Sequence, residues 1–501
     1  MTSPRMARVR RVALAVGQAS LGAALVGGVA WAGTQPVVLE RVALVDVVRD
    51  RPVGEAPGST TVALERIGLV CPGPELVGLA GAREVPLETS GTVVAAPREA
   101  LGDVPVPEGA PGLAIAPLDA SSSDGGAALD VLTSPMADPT AYLALGSGTA
   151  APGLVATQET RAETEEVVGL ASVPCRTAAP SAWVLGGGGG PGRAERLILT
   201  NPGSNSVTVD VTVYGAGGTS TPPDGQSLVV PAQGRTVLLG DALAPDEAQP
   251  AFQVTATGGD VVATLVETSI DGTQPRALDA VAASAPPSGE QVLAGVEVPA
   301  DGAGTLVVRV LNPGQTETIG TVTALTATGE RPIPEAVVRV PAGSVVDVPI
   351  EGLPAGPTTL AVSADSAVVA SARSFVNDRG MDATWTVSQP ALTDVGGAAI
   401  PQREGVSRTL VVSSRSAGAT VSVTQVSAGE PETSEVLVPT DGTVTVPLTG
   451  EGVWVRQVDG DGAVFAAVVS SGSAESPLGV SSMPLTVPAT SARRSEVVPL
   501  G

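Results

Sequence analysis

The stretch Leu197-Ile198-Leu199-Thr200-Asn201-Pro202-Gly203, followed by Val207-Thr208-Val209-Asp210-Val211-Thr212-Val213, decides the fold. Its strict alternation puts all four valines on one pleated face and the threonines and aspartate on the other, as a half-buried antiparallel strand requires. Asn-Pro-Gly is turn chemistry, proline presetting φ and asparagine able to bond the backbone two residues on. About a hundred residues later Val308-Arg309-Val310-Leu311-Asn312-Pro313-Gly314 leads into 318–325 in the same way. A third, weaker copy is Leu410-Val411-Val412-Ser413-Ser414, leading into Val421 and Val423.

The likeness extends beyond one strand, which separates a duplicated domain from a chance run of valines. Val230-Pro231-Ala232-Gln233-Gly234, Val340-Pro341-Ala342-Gly343-Ser344 and Val438-Pro439-Thr440-Asp441-Gly442 follow in order, each opening a short apolar strand. A third element comes next: Gly259-Asp260-Val261-Val262-Ala263, Ser366-Ala367-Val368-Val369-Ala370 and Gly462-Ala463-Val464-Phe465-Ala466. Turn signals such as Pro223-Asp224-Gly225, Asp271-Gly272 and Thr328-Gly329 punctuate the strands in the rhythm of a sandwich. Pro231, Pro341 and Pro439 are expected at strand starts or edges, where a missing amide proton is tolerated. The fold class read from this is all-β: tandem immunoglobulin-like β-sandwiches, at 181–285, 286–395 and 396–487, after an N-terminal β domain at 33–180 and before a disordered tail at 488–501. With only 2% aromatic residues, Trp183, Trp385, Trp454, Phe252, Phe375 and Phe465 are expected to anchor cores; a sugar platform is the lesser reading of the tryptophans.

The N-terminus sets an address. Arg5, Arg8, Arg10 and Arg11, in a basic segment 1–11, precede an uncharged run at 12–32 that ends in Trp31-Ala32. As a helix it spans about 30 Å, the thickness of a bilayer core. The reading is a single transmembrane helix with the arginines in the cytoplasm and the rest of the chain exported to the outer face of the plasma membrane. A cleaved signal peptide at Ala30-Trp31-Ala32, giving a secreted chain, is the competing reading. Export makes Cys71 and Cys175, the two cysteines of the chain, an expected disulfide closing the N-terminal domain. A reactive or metal-binding thiol lacks partners, since the chain has no histidine.

Charge and composition exclude more than they assign. The formal net charge is −24 and no lysine occurs, so nucleic acid is ruled out as a partner. Without histidine or lysine there is no Ser-His-Asp, Cys-His, Ser-Lys or Schiff-base chemistry, which leaves carboxylates alone. Glu163-Thr164-Glu165-Glu166 reads as a solvated loop, and Asp459-Gly460-Asp461-Gly462 as a β-turn lacking the spaced ligands of a calcium loop. The run Gly186 to Gly190 reads as a flexible loop, since no Gly-Lys-Ser/Thr follows to make a phosphate cradle. No catalytic residue, cofactor or metal site is assigned.

The arginine-led N-terminal segment, the turn Cys71-Pro72-Gly73-Pro74, Trp183 before a glycine-rich loop and Leu197 to Gly203 together resemble a family of actinobacterial cell-envelope proteins of unknown function. The resemblance covers nearly the whole chain, and its motifs are structural, so it brings no active site. The loss of Asn-Pro-Gly at Ser414-Arg415-Ser416 departs from the pattern. Such proteins are commonly encoded near a large membrane glycosyltransferase, which implies cell-wall polymer or envelope proteins as partners and an accessory role in envelope glycopolymer assembly. The expected function is thus a non-enzymatic, membrane-anchored structural or interaction protein, a rod of sandwiches. The alternative is a carboxylate-only glycan-processing enzyme, with two facing acids in a cleft, or a glycan-binding module.

Overall fold

Alternating valines need a second apolar sheet to cover them, and the chain meets that need four times. The computed structural model describes residues 59–74, 87–119, 130–378, 381–473 and 479–495, all within the unit Asp46–Gly501. The expected membrane segment at 12–32 lies outside the described residues, and no helix among those described is long and apolar enough to cross a membrane. The described chain is β throughout, with two four-residue helices, Arg98–Leu101 and Gly240–Leu243, and two 3-10 turns.

The sandwich that contains the opening stretch shows the plan. Its seven principal strands are Ser181–Leu185, Arg193–Asn201, Val207–Gly215, Gly234–Leu239, Ala251–Thr257, Val262–Asp271 and Gln274–Val281. Taken in chain order, one sheet reads 4-2-6-7 and the other 1-5-3. Val207, Val209, Val211 and Val213 point inward, at most 3% exposed, against Leu197, Leu199, Val254 and Leu265. The same order recurs from Ser288–Val298 to Asp382–Val387 and from Val395–Ala399 to Val480–Pro484. In the former, strands 5 and 6 fuse into one bent strand, Gly356–Val376, whose two halves join different sheets. In the immunoglobulin order the first two strands are sheet neighbours; here they lie in opposite sheets in every copy.

A fourth copy precedes these three. Arg66–Cys71, Glu88–Val94, Gly112–Pro117, Val131–Pro135, Tyr142–Ser147, Val155–Glu163 and Val168–Pro174 pair as 4-2-6-7 and 1-5-3 as well. The N-terminal β domain is therefore another sandwich of the same topology, hidden in the sequence because it lacks the Asn-Pro-Gly turn and carries no Val-Pro element between its third and fourth strands.

The four sandwiches do not extend as a rod. Their seventh strands, Val168–Pro174, Gln274–Val281, Asp382–Val387 and Val480–Pro484, pack each against the next, and the last packs against the first. Closure is completed by Ser59–Ala63, which pairs antiparallel with Ser491–Ser495. The segment read as a loose tail thus carries a strand, and Gly153 N–H bonds the Ala489 carbonyl just before it. The Val-Pro elements also differ from expectation: Pro231, Pro341 and Pro439 stand just after a strand, in a tight turn that opens the next one. The third residue of each turn has positive φ: Gln233 at 48°, Gly343 at 63° and Asp441 at 48°.

Candidate functional site

The place where all four sandwiches meet concentrates the unusual chemistry of the chain. Asp382 begins the seventh strand of the third sandwich and is fully buried on the shared axis. Its Oδ1 accepts the N–H groups of Leu278 (3.2 Å) and Ala383 (2.9 Å), and its Oδ2 those of Leu170 and Val480 (3.0 Å each). One carboxylate thereby holds one amide from every axial strand. Burial pushes it well above the usual carboxylate range, against the pull of those N–H groups. Room for it comes from Gly169 and Gly479, where an added Cβ would lie 2.6 and 2.1 Å from the Asp382 oxygens.

One step along the axis the strands bond in sequence. Ser172 N–H donates to Ser481 Oγ (2.9 Å), Ser482 N–H to Thr384 Oγ1 (2.9 Å) and Trp385 N–H to Asp279 Oδ2 (2.5 Å). Asp279 sits beside Glu267 on the adjacent strand. Burial raises Asp279 to about 8 despite bonds from the Trp385 and Ala280 amides. Burial acts on Glu267 in the same sense, but Arg373, Arg193 and the Trp385 indole N–H outweigh it and hold Glu267 below its ordinary value.

The contacts between sandwiches use most of the buried charge. Arg309, 2% exposed, forks onto Asp347 (2.8 and 2.9 Å) and donates to the carbonyls of Gly187, Ala248 and Pro250 across the second–third contact, with its guanidinium 4.8 Å above Trp385. Gly186 to Gly188 is packed there rather than forming a flexible loop, and Gly190 is exposed. Gly188 N–H bonds Glu195, and a Cβ at Gly187 or Gly188 would fall within 2.7 Å of Glu195 or Arg193. Between fourth and first sandwiches, Arg408 and Arg403 bind the buried Glu159 at 2.7 and 3.2 Å. Arg415 joins Glu290 and Glu330 of the third sandwich to Asp441 of the fourth.

The residues singled out in the sequence fall into place around this frame. Cys71 and Cys175 form a disulfide, both buried. The adjoining Pro72-Gly73-Pro74 turn is gripped by Gln158 and, from the second sandwich, by Arg235 on the Pro72 and Pro74 carbonyls. Trp385 and Trp454 are buried at contacts between sandwiches, Trp454 donating to Gly153 O at 2.9 Å. Trp183 is half-buried, with its ring 5.8 Å from that of Tyr214. Phe252 and Phe465 are buried, and Phe375 is half-buried. Glu163, Glu165 and Glu166 are exposed at a hairpin end, and Asp459 to Gly462 turns between Gly452–Gly460 and Ala463–Gly472. No cluster of three metal-ligating side chains occurs among the described residues.

Sequence reasoning missed Asp382, Glu159, Glu267 and Asp279, because nothing local distinguishes a buried acid from a solvated one. Two cavities among the described residues bear on function. One, about 570 Å³, opens at the end of the third sandwich and includes the exposed Asp301 and Glu351. The other, about 260 Å³, lies where the chain leaves three of the axial strands and is lined by Arg176, Leu154, Pro390 and Val487, among others.

No curated protein matches the chain. Among solved structures, Streptomyces avermitilis α-L-rhamnosidase complexed with L-rhamnose aligns at 11% identity and a TM-score of 0.11, over 77% of this chain and 54% of that one. The chain thus spans about half the length of that enzyme, and a likeness of this size carries no argument. Residues 131–449, most of the four-sandwich body, match the model of a family described as "Family of unknown function (DUF5719)", and the chain belongs to that family.

Proposed function

We propose that this chain is a non-enzymatic, membrane-anchored interaction protein on the outer face of a bacterial plasma membrane, accessory to envelope glycopolymer assembly. The observation that supports the reading is where the acids go. Four of the six buried carboxylates among the described residues, Glu159, Glu267, Asp279 and Asp382, are tied up by arginines and backbone amides that join sandwiches, in no open cleft. The disulfide fits an oxidising compartment, and the arginine-led N-terminal run fits the tether. Envelope proteins and wall polymer are the partners, nucleic acid is not, and no cofactor is called for.

The test is crosslinking in intact cells, followed by capture through a tag on the C-terminal residues and mass spectrometry. Enrichment of a membrane glycosyltransferase or its glycan is the expected result, and recovery of the chain alone would sink the accessory role. The glycan-processing alternative has one foothold, the open cavity with Asp301 and Glu351. Glycan turnover by the purified chain that is abolished in a D301N/E351Q double variant would replace the non-enzymatic reading.

A further inference from the structure

One sheet edge of the body stays open where its counterparts are closed. In the second, third and fourth sandwiches an extra strand follows the third and lies at the edge of its sheet. In the second it is split into Gly218–Ser220 and Leu228–Val230 by the 3-10 turn Pro223–Gly225. In the third, Gly329–Val340 contains Pro332 and Pro334, shifts register, and holds Glu335 at a φ of 59°. Prolines, bulges and short strands close an edge to further pairing. In the fourth, Glu430–Val438 pairs with Ala419–Ser427 along its whole length without a shift in register.

The hairpin fixes which groups this strand offers. Ala428 and Gly429 both have positive φ, 51° and 81°, as a tight two-residue hairpin turn requires. Ser427 and Glu430 are therefore a hydrogen-bonded pair, and by alternation Thr433, Glu435 and Leu437 turn their N–H and C=O groups away from the sheet. The 3.0 Å contact between the Thr424 and Thr433 hydroxyls fits that register, because side chains lie closest in the pairs that do not exchange backbone bonds. Pro431, at the start, offers a carbonyl alone. No strand among the described residues takes up these groups. Glu430, Glu432 and Glu435 are exposed on the same strand, which has no basic residue, and none of the three forms an ion pair with a described residue. Leu437, 74% exposed, is the most open large apolar side chain among the described residues.

We infer that this edge takes up an extended, arginine- or lysine-rich segment of a partner protein as a further strand of the sheet. The unpaired ladder calls for another backbone. The three glutamates, Glu435 on one face and Glu430 and Glu432 on the other, call for cationic side chains on both faces of the added strand, since opposite charges across a ladder stabilise it and like charges do the reverse. A second copy of this chain fits poorly, because it would gather the glutamates of both copies along one edge with no cation between them. Leu437 gives an aliphatic residue of the partner a lateral contact. The inference deepens the interaction role proposed above and rests on it for the partner's being a protein; peptide binding by the purified chain and crosslinking in cells can each fail without the other.

The test uses the full-length chain in detergent and a fluorescent peptide of three Val-Arg-Arg repeats, read by anisotropy. Saturable binding is expected, at least tenfold weaker when glutamate replaces each arginine. Two further peptides carry backbone N-methyl groups on the odd or on the even residues. One set of amides faces the strand and the other faces solvent, so one methylated peptide should lose binding at least tenfold and the other should keep it. Thr433→Pro removes an outward N–H without touching the hairpin's own ladder, and should weaken binding at least tenfold with a melting temperature near that of the parent. Should that variant fail to fold, Glu430→Gln/Glu432→Gln/Glu435→Gln, all at exposed positions, should give a loss of the same size. Absence of saturable binding overturns the inference, as does equal binding of the two methylated peptides or undiminished binding in every variant that folds. Self-association of the peptide-free chain that Thr433→Pro abolishes would give the edge to a second copy and overturn it too.

Discussion

Asp382 shows how much one side chain can decide. Replacing it with alanine leaves four buried amides without an acceptor, at about 1–3 kcal/mol each before relaxation. We expect Asp382→Ala to lower the denaturation midpoint by far more than a typical surface change, with Asp382→Asn intermediate. Gly479→Ala should be nearly as damaging, because its φ of 90° disfavours a side chain and the new Cβ would strike Asp382. Asp279 makes a prediction in pH. Its folded pKa of about 8 lies above the unfolded value, so the proton it holds stabilises the fold at low pH. That contribution declines as pH rises from about 4 towards 8. Asp279→Asn should therefore flatten the fall in melting temperature over this window, gaining most over the parent at pH 8; identical slopes for the two proteins would refute the assignment. Neither Asp382 nor Asp279 was legible as special in the sequence, because burial is a property of the neighbours that the fold supplies.

Among the elements, the Asn-Pro-Gly turn was legible as a turn but not as a tie. Asn201 and Asn312 are fully buried, and each Oδ1 takes the glycine N–H two residues on at 2.9 Å. Each Nδ2 reaches the carbonyls of the Val-Pro element, Val230 and Pro231 or Val340 and Pro341. The two sequence motifs that recur together are thus the two sides of one contact. The fourth sandwich reverses the arrangement: Asp441, in its Val-Pro element, receives Ser416 N–H and Arg415, so the lost asparagine is replaced from across the gap. Asn312→Ala should cost about 2–3 kcal/mol, several buried groups losing a partner together, and Asp441→Ala should loosen the equivalent turn of the fourth sandwich. Chemical denaturation of each variant measures both. The disulfide ties the edge of Arg66–Cys71 to the exit of Val168–Pro174. By the chain-entropy argument Cys71→Ala/Cys175→Ala should lower stability by up to about 4.7 kcal/mol.

At the scale of the whole four-sandwich body, stability comes from closure. Arg408 and Glu159 are 249 residues apart in sequence and bond across the contact that joins the last sandwich to the first. Removing one partner of a buried pair is expected to cost about 3–5 kcal/mol. Arg408→Ala should therefore open that contact, with hydrogen exchange rising in both the first and fourth sandwiches and little in the second. Exchange confined to the fourth sandwich would show that the ring does not act as a unit. A closed arrangement also alters what a partner can meet. The axial strands are covered by the four sandwiches, and the surface left for recognition is their outer edges.

Alternation, turn chemistry and repeated motifs were enough to determine an all-β chain of repeated sandwiches, because period-2 burial and backbone turns are local and each residue reports its own preference. Cysteine count likewise sufficed for the disulfide. The tertiary structure alone decided that the first domain is a fourth copy, that strand order departs from the immunoglobulin arrangement, and that four units close into one body. Strand order depends on which edges pair across a hundred residues, and closure depends on buried groups such as Asp382, Glu159 and Arg309 finding partners on other sandwiches. Those partners are brought together only when all four seventh strands meet, and no window of the sequence contains them.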